Sequence, residues 1–144
     1  VIKTIRTYDK KNIIRVGTPT WSQDVDTAAK SPVKGYSNIM YTFHFYAATH
    51  GSEYRKKVQA AIDRGLPVFV SEFGVSESSG NGHIDKTEAD KWISFLRKNK
   101  ISYVCWSLSN KAESCSLLKS SSTRTGNFKT SDLSTAGKWY KTVK

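Results

Sequence analysis

The sequence predicts an α/β chain of four βα units with parallel strands, half the complement of an eight-stranded (β/α)8 TIM barrel. Three observations carry this. Four runs rich in β-branched and aromatic residues begin at positions 12, 38, 67 and 102, and that spacing suits strand, crossover helix and return to a parallel neighbour. Amphipathic helical patterns fill the intervals. Polar and aromatic residues gather where the strands end, which is where barrel enzymes build their sites. An open doubly wound sheet shares the alternation, but no Gly-rich phosphate loop follows any strand.

Taken in order, the chain opens with Val1, Ile2 and Ile5 at helical spacing, as though entered in the middle of an amphipathic pattern. It begins on Val1 and carries no basic-then-apolar leader, so a piece of a longer protein is expected. The strands are "NIIRVG" (12–17), "NIMYTFHFY" (38–46), "PVFVSEFG" (67–74) and "SYVCWSLS" (102–109). Their near-continuous apolar character fits a sheet buried on both faces. A helix over 52–64 offers Tyr54, Val58, Ala61 and Ile62 to the core and stops at Gly65. The next presents Ala89, Trp92, Ile93 and Leu96 behind Asp85 and Glu88 in capping-box spacing. A last helix over 132–143 offers Leu133, Ala136, Trp139 or Tyr140, and Val143. Four units close only half a barrel, leaving two strand edges and an apolar interior without a neighbour. Such a half needs a partner.

At 144 residues, 38% hydrophobic and 24% charged, the chain can bury one real core and is too rich in aromatics (12%) to be disordered. Its formal net charge of +11 would attract polyanions. The basic residues are scattered at helical spacing, however, so a solvated surface is expected rather than a nucleic-acid site. No apolar run reaches transmembrane length, which argues against a membrane partner. Cys105 and Cys115 lack metal or redox spacing; two free thiols are expected, with a disulfide as the alternative in a secreted protein, and no metal or other cofactor.

Glu72 follows a run too apolar for an exposed acid, and a carboxylate there must be hydrogen-bonded or charge-paired to stay ionised. A catalytic acid and a structural ion pair account for it equally well. His44 and Tyr46 alternate with Phe43 and Phe45, placing both on one side of their strand while the phenylalanines face the helices. A lone His on an apolar strand is more often a satisfied core residue than a catalyst. Tyr46 could donate its hydroxyl to a carboxylate on the neighbouring strand. Trp106 shares a face with Val104 and Leu108; it suits either core packing or a platform for a pyranose ring. Lys111 and Glu113 are loop charges, ordinarily solvated.

Four stretches, "IIRVGTPTWSQDV" (13–25), "MYTFHFYAATHG" (40–51), "PVFVSEFGVSESSGNG" (67–82) and "WSLSNKAESCSLLK" (106–119), closely resemble, in this order, the C-terminal half of glycoside hydrolase family five cellulases. The resemblance covers nearly the whole chain. It implies a secreted endo-β-1,4-glucanase that hydrolyses internal bonds of a β-glucan with retention, with Glu72 as nucleophile, Tyr46 as its hydrogen-bond donor and His44 in the surrounding polar network. It further implies sugar contacts from Trp21, Trp106, Lys111 and Glu113, with His50 on the cleft rim. Asn110 stands where many relatives carry Asp.

The resemblance also implies an absence. Retaining hydrolysis requires a second carboxyl about 5–5.5 Å from the nucleophile, and the family carries that Glu after an Asn in the half of the barrel missing here. None of Glu53, Glu77, Glu88 and Glu113 has that setting. The chain alone is therefore expected to be inactive and to associate with an N-terminal half-barrel or with a second copy. Two other readings remain: a non-catalytic carbohydrate-binding or assembly half-barrel using Trp21 and Trp106, and a polyanion-binding protein resting on charge alone.

Overall fold

A computed structural model describes residues 1–143. Four parallel strands, β1 (Ile14–Val16), β2 (Ile39–Tyr46), β3 (Val68–Gly74) and β4 (Tyr103–Cys105), form one sheet in chain order. The outer elements are α1 (Ile2–Tyr8), a single turn α2 (Pro19–Ser22), α3 (Val25–Ala28), α4 (Ser52–Asp63), α5 (Lys86–Lys98), a short 3-10 turn (Thr130–Asp132) and α6 (Thr135–Tyr140). The α/β half-barrel architecture expected from the sequence is therefore present.

One face of the sheet is packed by helices. Phe43, Phe45, Phe73, Val70 and Trp92 are fully buried. The Trp92 ring lies 4.0 Å from that of Phe45, nearly parallel, and 5.5 Å from that of Phe43. Trp92 comes from α5, whose start is fixed by Asp85 accepting from the Glu88 amide at 2.9 Å. Only half of the expected capping box forms. The Asp85 amide is taken by the Val75 carbonyl, while the Glu88 carboxylate pairs with Arg55 and Lys91. Helix α4 buries Val58 and Ala61 and ends as Gly65 enters the left-handed region at φ 78°.

The other face is open. Val104 and Leu108 are 48% and 65% exposed, and Arg15 lies across the Phe69 ring at 5.2 Å. Among the described residues neither β1 nor β4 has a second neighbour.

Three elements are shorter than the sequence suggested, the first being β1, which keeps only Ile14–Val16 of the expected 12–17. The β4 ladder stops at Cys105, although the Trp106 amide still donates to the Phe73 carbonyl at 2.8 Å. Helix α6 starts at Thr135, because Asp132 belongs to the preceding turn and Leu133 bridges Leu118. Its N-terminus is capped by the Ser134 hydroxyl, which accepts from the Gly137 amide at 3.0 Å. Helix α1 forms but buries no residue, being held by Arg6 donating to the Ser37 and Asn38 carbonyls.

The register of β3 decides where Glu72 points. Phe43 pairs with Val70 and His44 with Glu72, so Ser71 is an extra residue on β3. The other edge agrees: Val70 pairs with Tyr103 and Phe73 with Cys105, three residues against two. Without this bulge, strict alternation would put Glu72 beside Val68 and Val70 against the helices. With it, Ser71 and Glu72 both face the open side and Phe73 returns to the core.

Candidate active site

At the C-terminal end of the sheet a cavity of about 600 Å³ is lined by Trp21, Ser22, Gln23, His44, Tyr46, His50, Glu72 and Ser78. Glu72 is the one carboxylate among the described residues in its wall. The Tyr46 hydroxyl donates to Glu72 Oε1 at 2.8 Å. Burial first, and then this bond, push the phenol well above its ordinary pKa, so it remains a donor. Glu72 Oε2 faces His44 Nδ1 at 3.7 Å. The other ring nitrogen, Nε2, is 2.8 Å from the Ser71 hydroxyl. The bulge thus supplies both the acid and a hydroxyl that orients its neighbour. Burial lowers the His44 pKa, Glu72 opposes that and Arg15 adds to it. His44 is accordingly neutral near pH 7.

Gly74 is required by this arrangement. A Cβ there would stand 2.6 Å from Cδ1 and Cε1 of Tyr46, so the phenol lies flat over the strand only because position 74 has no side chain.

Trp21 is 84% exposed at the cavity mouth. It sits in three consecutive left-handed residues, Thr20, Trp21 and Ser22, with φ of 54°, 51° and 63°. Such backbone costs about 1–3 kcal/mol per residue and persists only where the surroundings enforce it. Here Ser22 Oγ meets Thr42 Oγ1 at 2.7 Å, Thr18 donates to the Thr42 carbonyl at 3.0 Å, and Thr20 donates to Asp24 at 2.6 Å. Lys57 in turn donates to Asp24 at 2.6 Å, and its hydrogen bond holds that carboxylate below its usual pKa. An indole held in solvent by strained backbone is an available stacking surface.

The remaining expected site residues divide. Trp106 is 49% exposed on the open face, which excludes simple core packing. Lys111 and Glu113 pair with each other in the following loop. That loop docks on 76–82 through the Ser114 hydroxyl donating to Asn81 Oδ1 and the Cys115 amide donating to the Gly80 carbonyl, both at 3.0 Å. None of these three lines the cavity around Glu72. Asn110 donates its amide to the Ser122 carbonyl at 2.9 Å, a bond an ionised Asp could not donate. His50 lines the cavity and is itself buried, 4% exposed. Cys105 and Cys115 are free thiols; burial raises both, Cys105 to about 12, which keeps them protonated.

Ser71, Gln23 and Arg15 join the site only through the fold. A serine next to the acid breaks the alternation of β3, and an arginine between Ile14 and Val16 interrupts an otherwise apolar run at the position that alternation turns to the open face; both signals were in the sequence. Among the described residues no three His, Cys, Asp or Glu side chains gather to hold a metal ion.

Comparison with known proteins gives a consistent picture. The family model "Cellulase (glycosyl hydrolase family 5)" matches residues 1–112. An endoglucanase of Clostridium saccharobutylicum is 48% identical over 141 residues, 98% of this chain and 31% of the relative. Endoglucanase Z of Dickeya dadantii is 47% identical over 116 residues, 81% of this chain and 27% of the relative. Among solved structures, cellulase Cel5C_n superposes with a TM-score of 0.92 at 44% identity, covering 98% of this chain and 43% of that one. The catalytic domain of Thermobifida fusca endoglucanase Cel5A gives 0.89 at 34%, covering 96% and 48%. A β-mannanase of Streptomyces thermolilacinus, 20% identical with a TM-score of 0.70, shares the fold. The chain thus spans about a third of the curated relatives and under half of these cellulase structures.

Proposed function

This chain belongs to the cellulases of glycosyl hydrolase family 5, and from that premise we propose that it is the C-terminal half of an endo-β-1,4-glucanase catalytic domain, residues 1–144 forming one incomplete domain. Glu72 is the nucleophile of a retaining hydrolysis of internal β-1,4 bonds in a secreted enzyme acting on cellulose or a related β-glucan. The observation that carries this reading is the Tyr46–Glu72 hydrogen bond at the cavity mouth, on a carboxylate turned there by a bulge.

Two carboxyls divide the chemistry. Glu72 Oε2 attacks the anomeric carbon as the glycosidic C–O bond breaks, and the departing oxygen takes a proton from a second carboxylic acid. That acid then removes a proton from water, which attacks the glycosyl ester and frees Glu72. Tyr46 holds Oε1 and leaves Oε2 to react, and neutral His44 adds no competing charge. Trp21 and Trp106 stack on sugar rings, while Lys111 and Glu113 offer polar contacts farther along the glucan. The acid/base comes from an N-terminal half-barrel that closes the open face of the sheet. A second copy is the other candidate partner, but it would add another +11 of charge and no new kind of carboxylate.

The test joins light scattering to an assay on soluble cellulose. The chain alone should show no turnover. Supplying the N-terminal half of the Clostridium saccharobutylicum endoglucanase should restore it, and Glu72→Gln should then remove about 10³-fold or more of the activity. A stable monomer that hydrolyses cellulose by itself would sink the proposal. Glucan binding untouched by Glu72→Gln, with no turnover from the completed barrel, would make this a carbohydrate-binding half-barrel instead.

A further inference from the structure

The turn after β2 is closed by the side chain of His50, which also lines the cavity around Glu72. His50 is 4% exposed. Its Nδ1 accepts from the Tyr46 amide at 2.8 Å, and its own amide donates to the Tyr46 carbonyl at 2.8 Å. Its carbonyl accepts from Trp92 Nε1 at 2.6 Å, and its ring stands edge-on to Tyr54 at 4.5 Å. The residue is fixed from four directions.

The need for it follows from the sheet. The last register pair of β1 with β2 is Val16 with Tyr41, so β2 runs five residues beyond its neighbour. The Ala47 amide donates to the Gly74 carbonyl on β3, and by the alternation of a parallel ladder the Tyr46 amide faces the other way, where β1 has ended. A buried amide without an acceptor is costly. The imidazole takes the place of the missing strand.

We propose that His50 is a positioning residue for the nucleophile: as the neutral tautomer protonated on Nε2, it clamps the Tyr46 backbone so that the phenol meets Glu72 Oε1. The proposal rests on reading Glu72 as the nucleophile. An Nδ1 that accepts carries no proton, so the proton is on Nε2, which lies 3.3 Å from Nε2 of the Gln23 side-chain amide. A half-turn of that amide presents its oxygen to the proton. Burial, helped by Lys57 on α4, favours the neutral ring.

Two measurements on the chain as it stands come first. Nitrogen-15 correlation of the imidazole should place the proton on Nε2. Hydrogen exchange at the Tyr46 amide should speed up in His50→Phe, which fills the space without an acceptor. It should stay slow in His50→Asn, whose Oδ1 can stand in for Nδ1. In the completed barrel, His50→Phe should lower kcat by about 10- to 100-fold with KM unchanged, the scale expected when a reacting group is misplaced by about 1 Å. His50→Asn should recover most of that loss. A proton on Nδ1, equal exchange in the two variants, or a raised KM with unchanged kcat would each overturn the proposal. Activity surviving Glu72→Gln would instead overturn the nucleophile reading, and the exchange results would stand apart from it.

Discussion

The two faces of the sheet are made from the same strands and answer to different demands. Toward the helices, Phe43, Phe45, Phe73 and Val70 are sealed against Trp92 and the rest of the core. Toward the open side, the alternate residues Arg15, His44, Ser71, Glu72 and Trp106 are polar or half-exposed. On β2 the division is strict, one residue to each face. On β3 it holds only as far as Val70, where the extra Ser71 shifts the alternation. One inserted residue thus lets a strand place Val70 and Phe73 in the core and still turn Glu72 outward. Regular pairing buries apolar surface, while the departure from it aims the acid.

The comparison can be tested from the core side first. Trp92→Ala removes the indole stacked on Phe45 and the donor to the His50 carbonyl. The expected loss is about 3–5 kcal/mol of stability, read from chemical denaturation, because a large buried aromatic leaves a cavity that its neighbours fill only partly. A loss below about 1 kcal/mol would mean that the helix-facing stack is not where the stability resides. Trp92→Phe, which keeps a ring against Phe45 but loses the donor and part of the buried indole, should cost less.

Gly74→Ala tests the other face. The added Cβ would overlap the Tyr46 ring at 2.6 Å, and what must yield is a side chain rather than backbone. A stability loss of about 1–3 kcal/mol is expected from the overpacking. The more telling result is loss of the Tyr46–Glu72 bond, visible as a changed chemical shift of the Tyr46 ring and as lost turnover in the completed barrel. An unshifted ring would show that the phenol has room to spare.

Much of this division is legible in the sequence. Period-two alternation in "YTFHFY" separates Phe43 and Phe45 from His44 and Tyr46, and Trp92 falls on the apolar stripe of its helix. The bulge is not legible as such, because a local pattern shows two adjacent polar residues without saying which of them is extra. Thr20, Trp21 and Ser22 carry side chains, and nothing local marks them as left-handed; their bonds to Thr42 and Asp24 help hold them there. His50 reads as a polar residue in a turn, since its burial depends on β1 ending early and on Tyr54 and Trp92 arriving from two different helices. The open face follows from the number of strands, whereas the pairing of Lys111 with Glu113 depends on how the loop after β4 folds back on itself.

The smallest expected effect concerns pH, and it sets two histidines on a common footing. Burial lowers the pKa of both His44 and His50 from the ordinary value of 6.5. His44 faces Glu72 from β3 and Arg15 from β1, which pull in opposite directions; His50 faces Lys57 and Tyr54 from α4. Between the folded and the ordinary pKa values, the unfolded chain binds more protons than the folded one, so stability must rise with pH across that interval. The contribution is complete above about pH 6.5 and drains away as the pH falls from there toward the folded values, below which it no longer changes. Denaturation midpoints measured from pH 8 to pH 5 should be level at first and then decline. His50→Asn, which keeps an acceptor but cannot titrate, should flatten part of the decline and leave the His44 share. A midpoint that rises on acidification would mean that the ring beside Glu72 gains a proton on folding, and the open face would then be governed by charge pairing with the acid rather than by burial.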